Sequence, residues 1–192
     1  MAKTWPTKRQ RRTRSDRNDI FARSDAIAAR RALRDVHVGL RHLKSAQSDS
    51  EWRWRWISVV TLLRSVGHVL EKVDGNRSVY LKGAASEVWK EVKRNRNKNA
   101  IFFEFIEIER NNILKEYKVG EFIVYPMDCS EKWRKADYPM PFGERVLSQS
   151  VLIQEAVDWW ESLLYEVETK AETRLRTTVR RRRPARRNRK AG

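Results

Sequence analysis

One arginine lies where the surrounding sequence predicts an apolar side chain. Phe103, Ile106, Ile113 and Tyr117 are spaced so that they form one stripe of a predicted helix. The position that should complete this stripe is Arg110, four residues after Ile106 and three before Ile113. An arginine at such a position must find a partner for its charge or serve a function.

The polar neighbours of Arg110 leave two interpretations open. Glu107, Glu109, Asn111 and Asn112 surround it in a segment that is otherwise rich in Phe and Ile. In the first interpretation, Arg110 forms an internal salt bridge with Glu107 or with an acid on another helix. In the second, its planar guanidinium group binds a phosphate group through two parallel hydrogen bonds.

The segment that begins at Arg110 resembles the signature of a known family. It reads Arg110-Asn111-Asn112-Ile113-Leu114-Lys115-Glu116-Tyr117. This is similar to the motif of the HEPN superfamily of helical nucleotide-binding and RNase domains. In that motif an Arg and a small polar residue precede, by four to six residues, a His that is often followed by Tyr. Arg110, Asn111 and Tyr117 match, whereas Lys115 stands where the family has its His.

The resemblance covers roughly residues 24–170 and implies a site formed by Arg110, Asn111, Lys115 and Tyr117. In active family members the Arg and His, usually across a dimer interface, promote 2′-hydroxyl attack on RNA without a metal ion. A lysine keeps its proton at neutral pH unless burial or a neighbouring cation lowers its pKa. We therefore expect a homodimer with a non-catalytic phosphate-binding site. A metal-independent, toxin-like endoribonuclease is the alternative.

The three histidines and a tryptophan cluster are further candidates with structural interpretations. His68 is the best substitute for the missing motif histidine if the bundle brings it near Arg110. Trp52 and Trp56 share a core face of their helix, whereas Trp54 points elsewhere and could stack on a base or form a subunit contact. No residues have metal-ligand spacing, and no Gly-rich phosphate loop is present, so we expect neither a metal nor a cofactor.

The two ends of the chain carry almost all of its net charge of +17. Residues 1–34 contain eleven Lys or Arg against three acids, residues 170–192 contain eleven against one, and residues 35–169 sum to −1. Two cationic arms on a nearly neutral middle predict binding to a polyanion, above all nucleic acid. The predicted contacts are Lys8, Arg9, Arg11, Arg12, Arg14, Arg174, Arg176, Arg180, Arg181, Arg182, Arg183, Arg186, Arg187, Arg189 and Lys190.

Composition restricts the setting of the protein. Its one cysteine, Cys129, excludes an intramolecular disulfide and a Cys-rich zinc site. A reducing, cytoplasmic location is expected, with a nuclear or nucleoid location as the alternative. No apolar run reaches the roughly 18 residues of a membrane span, so no membrane partner is expected.

Helical periodicity is found in two parts of the chain, before and after a Pro-containing segment. The first two predicted helices form an αα-hairpin. One face of the first helix carries Ala26, Ala29, Leu33, Val36, Leu40 and Leu43, and the inward face of the last helix includes Trp159. The first predicted helix runs from about Ser24 to Leu43, and the second from the capping box Ser48-Asp49-Ser50-Glu51 to the turn Asp74-Gly75-Asn76. The third covers Ser78–Arg94, and the fourth covers Ala100–Lys118, with Gly120 as its stop. The fifth runs from Ser148 to about Thr169. The last helix could continue as far as Arg183, because Pro184 marks its latest end. Between the fourth and fifth helices, Pro126, Pro139, Pro141 and Gly143 predict a long loop, which Phe122, Trp133 and Phe142 would pack onto the bundle.

The sequence therefore predicts an all-α bundle of about five helices with a long Pro-containing loop. Residues 1–18 form a disordered basic arm, residues 19–173 the HEPN-like bundle, and residues 174–192 the Arg-rich tail. The predicted function is nucleic-acid binding, with RNA preferred and DNA as the alternative ligand. A further alternative is a structural nucleoprotein or virion-associated protein, in which Arg110 is only a buried ion pair.

Overall fold

A computed structural model describes residues 24–119 and 139–182. In these ranges the chain forms five helices and one small hairpin, so the prediction of a mostly α-helical bundle is confirmed. The helices are α1 (Ile27–Lys44), α2 (Asp49–Val69), α3 (Val79–Arg94), α4, which runs through Ile101–Ile106, Glu107–Asn111 and Asn112–Glu116, and α5 (Gln149–Arg182). The hairpin consists of β1 (Pro139–Phe142) and β2 (Arg145–Ser148).

Helices α1 and α2 form the αα-hairpin that the sequence predicts. Every residue of the predicted apolar face of α1 is buried, namely Ala26, Ala29, Leu33, Val36, Leu40 and Leu43. The predicted cap of α2 is also present, because the side chain of Ser48 accepts a 3.2 Å hydrogen bond from the backbone N–H of Glu51. The Glu51 carboxylate in turn accepts a 2.9 Å hydrogen bond from the N–H of Gln47. The first contact satisfies a backbone donor of the first turn of α2, and the second holds the residue that precedes the cap.

The predicted end of α2 at Asp74-Gly75-Asn76 lies within one residue of the observed end, but these three residues are helical and do not form the predicted turn. The chain stays helical through a π-helical turn, Leu70–Asp74, and a last turn, Gly75–Arg77. Asp74 is 2% exposed, and its carboxylate accepts hydrogen bonds from the backbone N–H groups of Ala28 (3.1 Å) and Ala29 (2.8 Å). These amides lie in the first turn of α1, so Asp74 caps another helix across the bundle instead of forming a local turn.

A second carboxylate reaches the start of α1 from α5. Glu168 accepts hydrogen bonds from the backbone N–H of Ala26 (2.9 Å) and from Nε of Arg30 (2.9 Å). The Glu168 carboxylate raises the pKa of Arg30, mainly through this side-chain hydrogen bond. Asp74 and Glu168 therefore join the first turn of α1 to both α2 and α5.

Aromatic side chains fill the core where α3, α4 and α5 meet. The Phe102 ring lies 4.8 Å from that of Trp89, 5.3 Å from that of Trp159 and 6.0 Å from that of Trp160, measured between centroids. Trp160 is completely buried, whereas the predicted core residue Trp159 is half-buried. Gly67 on α2 makes room for Trp160, because a Cβ atom at Gly67 would come within 2.7 Å of the indole ring.

Two corrections concern the chain after α4. The helix ends at Glu116, before the predicted stop, and Tyr117 follows in the left-handed conformation with φ 52°. Residues 139–147, predicted as loop, and Ser148, predicted as the start of the last helix, form an antiparallel hairpin in which Phe142 pairs with Arg145 and Met140 with Leu147. Its turn uses Gly143 at φ +58°, a conformation that favours glycine. Gly120, Phe122, Pro126 and Trp133 lie outside the described residues.

Helix α5 is longer than the packing of the bundle requires. Among the residues of α5 up to 179, the last one buried is Ala171, and the helix continues to Arg182, as the upper limit of the prediction allowed. Among the described helices, none combines the length and the apolar character needed to cross a membrane.

Candidate phosphate site on α4 and a cationic cleft

The charged residue that enters the buried face of α4 is Glu109, not Arg110. Glu109 is 1% exposed and follows Phe102, Phe105 and Ile106 on the buried face, whereas Arg110 is half-buried. Tyr117, which the predicted stripe placed in the core, is 72% exposed. The error has a physical cause. Two parts of α4, Ile101–Ile106 and Asn112–Glu116, are π-helical, so a stripe extrapolated at 3.6 residues per turn loses its phase.

The Glu109 carboxylate is tied into the aromatic core by Trp56 of α2. The indole Nε1 of Trp56 donates a 2.8 Å hydrogen bond to Oε1 of Glu109. Trp56 itself is completely buried and stacks on Trp52, with centroids 5.6 Å apart and planes 17° from parallel. A buried indole N–H needs an acceptor, so Trp56 is the sequence signal that could have revealed Glu109.

Arg110 is oriented by its neighbour in the motif. Its Nη1 donates a 2.8 Å hydrogen bond to the side-chain oxygen of Asn111. Within the described residues, Arg110 has no ion pair with Glu107 or with an acid on another helix, so the salt-bridge interpretation is not what the structure contains. A guanidinium group carries five N–H donors, and this contact engages one of its nitrogens. The side chain is thus held at one edge and retains donors for an anion.

Lys115 and Tyr117 of the motif lie on the exposed side of the end of α4. Lys115 belongs to the π-helical turn Asn112–Glu116. On an ideal α-helix it would lie about 140° from Arg110. Because a π-helical turn bonds residues five apart, it reduces this angle and brings Arg110 and Lys115 closer to one face. Both cations can therefore meet the same polyanion.

Neither His37 nor His68 forms a site with Arg110. Trp56, which contacts the residue before Arg110, lies twelve positions before His68 on the same helix, and this separates them by about 18 Å along the axis. His37 contacts Glu161, with 3.2 Å between Nε2 and Oε1. His68 is therefore not a substitute for the motif histidine within one chain. Among the described residues, no three His, Cys, Asp or Glu side chains are grouped so that they could hold a metal ion.

The structure adds a feature that the sequence analysis missed, a cationic cleft between α2 and α3. Its volume is about 480 Å³. It is lined by Arg64, Gly67, His68, Leu70, Glu71, Lys82, Ala85, Ser86, Trp89, Lys90, Lys93, Trp160 and Leu163. Of these residues, four carry a permanent positive charge and one, Glu71, carries a negative charge. The floor is apolar, because Leu70, Trp160 and Leu163 close it from below.

The one acid of the cationic cleft, Glu71, pairs with the adjacent Lys72. Nζ of Lys72 lies 2.9 Å from the Glu71 carboxylate. This hydrogen bond is the main cause that lowers the pKa of Glu71, and the charges of His68 and Lys82 lower it further. The cleft therefore presents an excess of positive charge to any ligand.

The predicted arm residues are only partly described. Arg174 and Arg176 lie on the exposed part of α5, where Arg174 pairs with Glu87 of α3 and Arg176 with Glu172. Arg180, Arg181 and Arg182 belong to the last turn of α5. The remaining predicted contacts lie outside the described residues, namely Lys8, Arg9, Arg11, Arg12, Arg14, Arg183, Arg186, Arg187, Arg189 and Lys190.

The tryptophan cluster divides as its spacing predicts. Trp52 and Trp56 are buried, whereas Trp54 is 54% exposed, with the guanidinium carbon of Arg55 5.4 Å from its ring centroid. Trp54 is thus available to a ligand or a second subunit.

Comparison of the chain with protein-family models, with curated proteins and with solved structures gives no match.

Proposed function

We propose that this protein binds nucleic acid, with RNA as its preferred ligand. The observation that carries the proposal is the distribution of charge. The two ends contain nearly all of the net charge of +17, while residues 35–169 sum to −1. Such arms repel themselves unless a polyanion neutralises them, and nucleic acid does so with release of counterions.

The course of α5 supports this proposal. After Ala171, the last buried residue of α5 up to residue 179, the helix continues for eleven residues, a rise of about 16 Å. Lys170 and Arg174 bind Glu87 of α3, which ties the base of this extension to the bundle. The Arg-rich tail thus starts from a helix that is anchored to the bundle. Phosphate contacts of this kind position a protein on nucleic acid without reading its sequence.

The RNA preference rests on the HEPN-like motif of α4. Arg110 is half-buried, is oriented by Asn111 and lacks an acidic partner among the described residues. These properties suit a guanidinium group that contacts phosphate. Lys115 supplies a second cation on the same helix but no proton shuttle, so the proposed role of the motif is binding without cleavage.

Binding and cleavage are tested together. Full-length protein is incubated with labelled single-stranded RNA and DNA in the presence of a metal chelator, and the samples are run on native and denaturing gels. We expect shifted, intact substrate and tighter binding of RNA. Absence of a shift with both ligands at low salt would overturn the proposal. Cleaved RNA that disappears in Arg110→Ala would replace it with the metal-independent endoribonuclease.

A matched pair of variants tests the contribution of Arg110. Arg110→Ala removes one charge-assisted phosphate contact, and we expect RNA affinity to fall by about tenfold to a hundredfold. Arg77→Ala is the control, because it removes one exposed cation from the end of α2. If both variants lose the same small amount of affinity, Arg110 contributes only general charge. If Arg110→Ala lowers stability and leaves affinity unchanged, Arg110 has a structural role.

A further inference from the structure

The cations of the cationic cleft are not paired with described acids, although the guanidinium carbon of Arg64 lies 5.6 Å from the centroid of the Phe102 ring. Within the described part of the chain, Arg64, Lys82, Lys90 and Lys93 form no ion pair with an acidic residue, although ion pairs hold many other cations of the bundle. Keeping four positive charges around one cleft costs free energy through mutual repulsion. A bound anion would relieve this repulsion, and a cleft with low-dielectric walls focuses the field that attracts it.

The spacing of these cations indicates an extended ligand. On α3, the residues that line the cleft recur every three or four positions and thus share one face of the helix. Lys82 and Lys93 mark the two ends of this face, eleven residues or about 16 Å apart. A single phosphate group cannot contact both ends, whereas a chain of phosphates can. Arg64 and His68 provide the facing wall on α2.

An aromatic ring lies among the cations. Trp89 is half-buried on α3 between the charged positions, and it helps to line the cleft. Trp160 and Leu163 contribute apolar surface to the floor. Positive charge that follows a backbone, together with aromatic surface on which a base stacks, is the combination used to bind single strands. A duplex keeps its base faces stacked inside, so it cannot use such a ring.

We propose that the cationic cleft binds a segment of single-stranded nucleic acid, with its phosphates on Arg64, Lys82, Lys90 and Lys93 and a base against Trp89. This inference rests on the proposed function and adds to it a contact surface on the folded bundle. The arms supply general affinity, and the cleft selects single strands over duplexes.

The test compares two double variants of the full-length chain. Lys90→Gln/Lys93→Gln removes two cleft cations, and Arg41→Gln/Lys44→Gln removes two exposed cations from α1 outside the cleft. Affinity for a short oligo(U) strand is measured by fluorescence anisotropy between about 50 and 200 mM salt. Because each lost phosphate contact reduces the slope of log K against log salt by about 0.7 for single strands, we expect the cleft variant to lose about 1.4 from the slope. The α1 variant should keep the wild-type slope.

Each outcome has a distinct meaning. Wild-type protein that fails to bind oligo(U) at all overturns the proposed function itself. Wild-type binding with equal slopes for the two double variants overturns only the cleft. If the cleft variant loses the same affinity for duplex as for single strands, the cleft lysines contribute only non-specific electrostatic attraction. That result would contradict the selection of single strands.

Ultraviolet crosslinking of wild-type protein to oligo(U) provides a second measurement that needs no substitution. After digestion, mass spectrometry locates the attached nucleotides. We expect adducts on peptides that contain Trp89 or the facing residues of α2. Adducts confined to the arms would contradict the proposal.

Discussion

The buried acids Asp74 and Glu109 and the cations of the cationic cleft have different roles in the same bundle. Asp74 and Glu109 are 2% and 1% exposed, and each carboxylate accepts at least one hydrogen bond from another helix. The three lysines of the cationic cleft are exposed and Arg64 is half-buried, and none of the four forms an ion pair with a described acid. The acids therefore belong to the fold, because a buried charge without donors would cost several kcal/mol. The cations are available to a ligand.

This contrast separates two kinds of variant. Changes around the buried acids should lower stability and affect binding only through loss of folded protein. Changes in the cationic cleft should lower binding and leave stability nearly unchanged.

The largest effect is expected at Trp56. Trp56→Ala removes a completely buried ring and the hydrogen bond to Glu109, so we expect the free energy of unfolding to fall by about 3–5 kcal/mol. Trp56→Phe keeps most of the ring but removes the N–H donor, and it should lose about 1–3 kcal/mol. Urea denaturation followed by circular dichroism measures both. Equal stability of Trp56→Phe and wild type would show that the Glu109 contact contributes nothing.

A somewhat smaller loss is expected at Asp74. Asp74→Ala leaves the N–H groups of Ala28 and Ala29 without their acceptor, at a cost of about 2–4 kcal/mol. Asp35→Ala is the control, because it removes an exposed acid from α1, the helix that Asp74 caps, and should change stability by less than about 0.5 kcal/mol. If the two variants melt alike, Asp74 does not cap α1.

Neutralising the cationic cleft should change stability very little. For Lys90→Gln/Lys93→Gln we expect a free energy of unfolding within about 0.5 kcal/mol of the wild-type value, because neither lysine has a described ion pair to lose. A thermal melt without nucleic acid measures this. A loss comparable to that of Asp74→Ala would show that these cations have structural partners, and the contrast with the buried acids would fail.

The smallest effect concerns pH and the base of the α5 extension. Hydrogen bonds from Lys170 and Arg174 lower the pKa of Glu87 below its ordinary value of 4.5. A lowered folded-state pKa gives stability that is present above pH 4.5 and is lost as the pH falls through the folded-state pKa. Glu87→Gln should therefore be slightly less stable than wild type at neutral pH and equal to it in strong acid. A difference that grows on acidification would contradict this pairing.

The sequence predicts regular helices well and irregular ones poorly. In α1 the spacing is constant, and all six predicted face residues are buried. In α4 two π-helical segments change the rotation per residue, so the buried charge is Glu109 and not Arg110. The turn predicted at Asp74 is wrong for another reason. Its local sequence favours a turn, but its carboxylate binds amides that lie 45 and 46 residues away.

The cationic cleft was missed because its cations come from two helices. On α3 alone, Lys82, Lys90 and Lys93 read as a solvated polar face. The face becomes a cleft only when α2 places Arg64 and His68 opposite it. The spacing within one helix carries no information about that juxtaposition. The candidate site on α4 could be proposed from the sequence because its residues are contiguous.

The salt dependence of RNA binding tests the central claim most directly. For the full-length protein and oligo(U), log K should fall linearly and steeply with log salt, because many phosphate contacts are broken. A tail variant in which Arg186, Arg187, Arg189 and Lys190 are changed to Gln should lose about 3 from the slope, or about 0.7 for each contact. Binding that is independent of salt, or a tail variant that keeps the wild-type slope, would contradict nucleic-acid binding through the cationic ends.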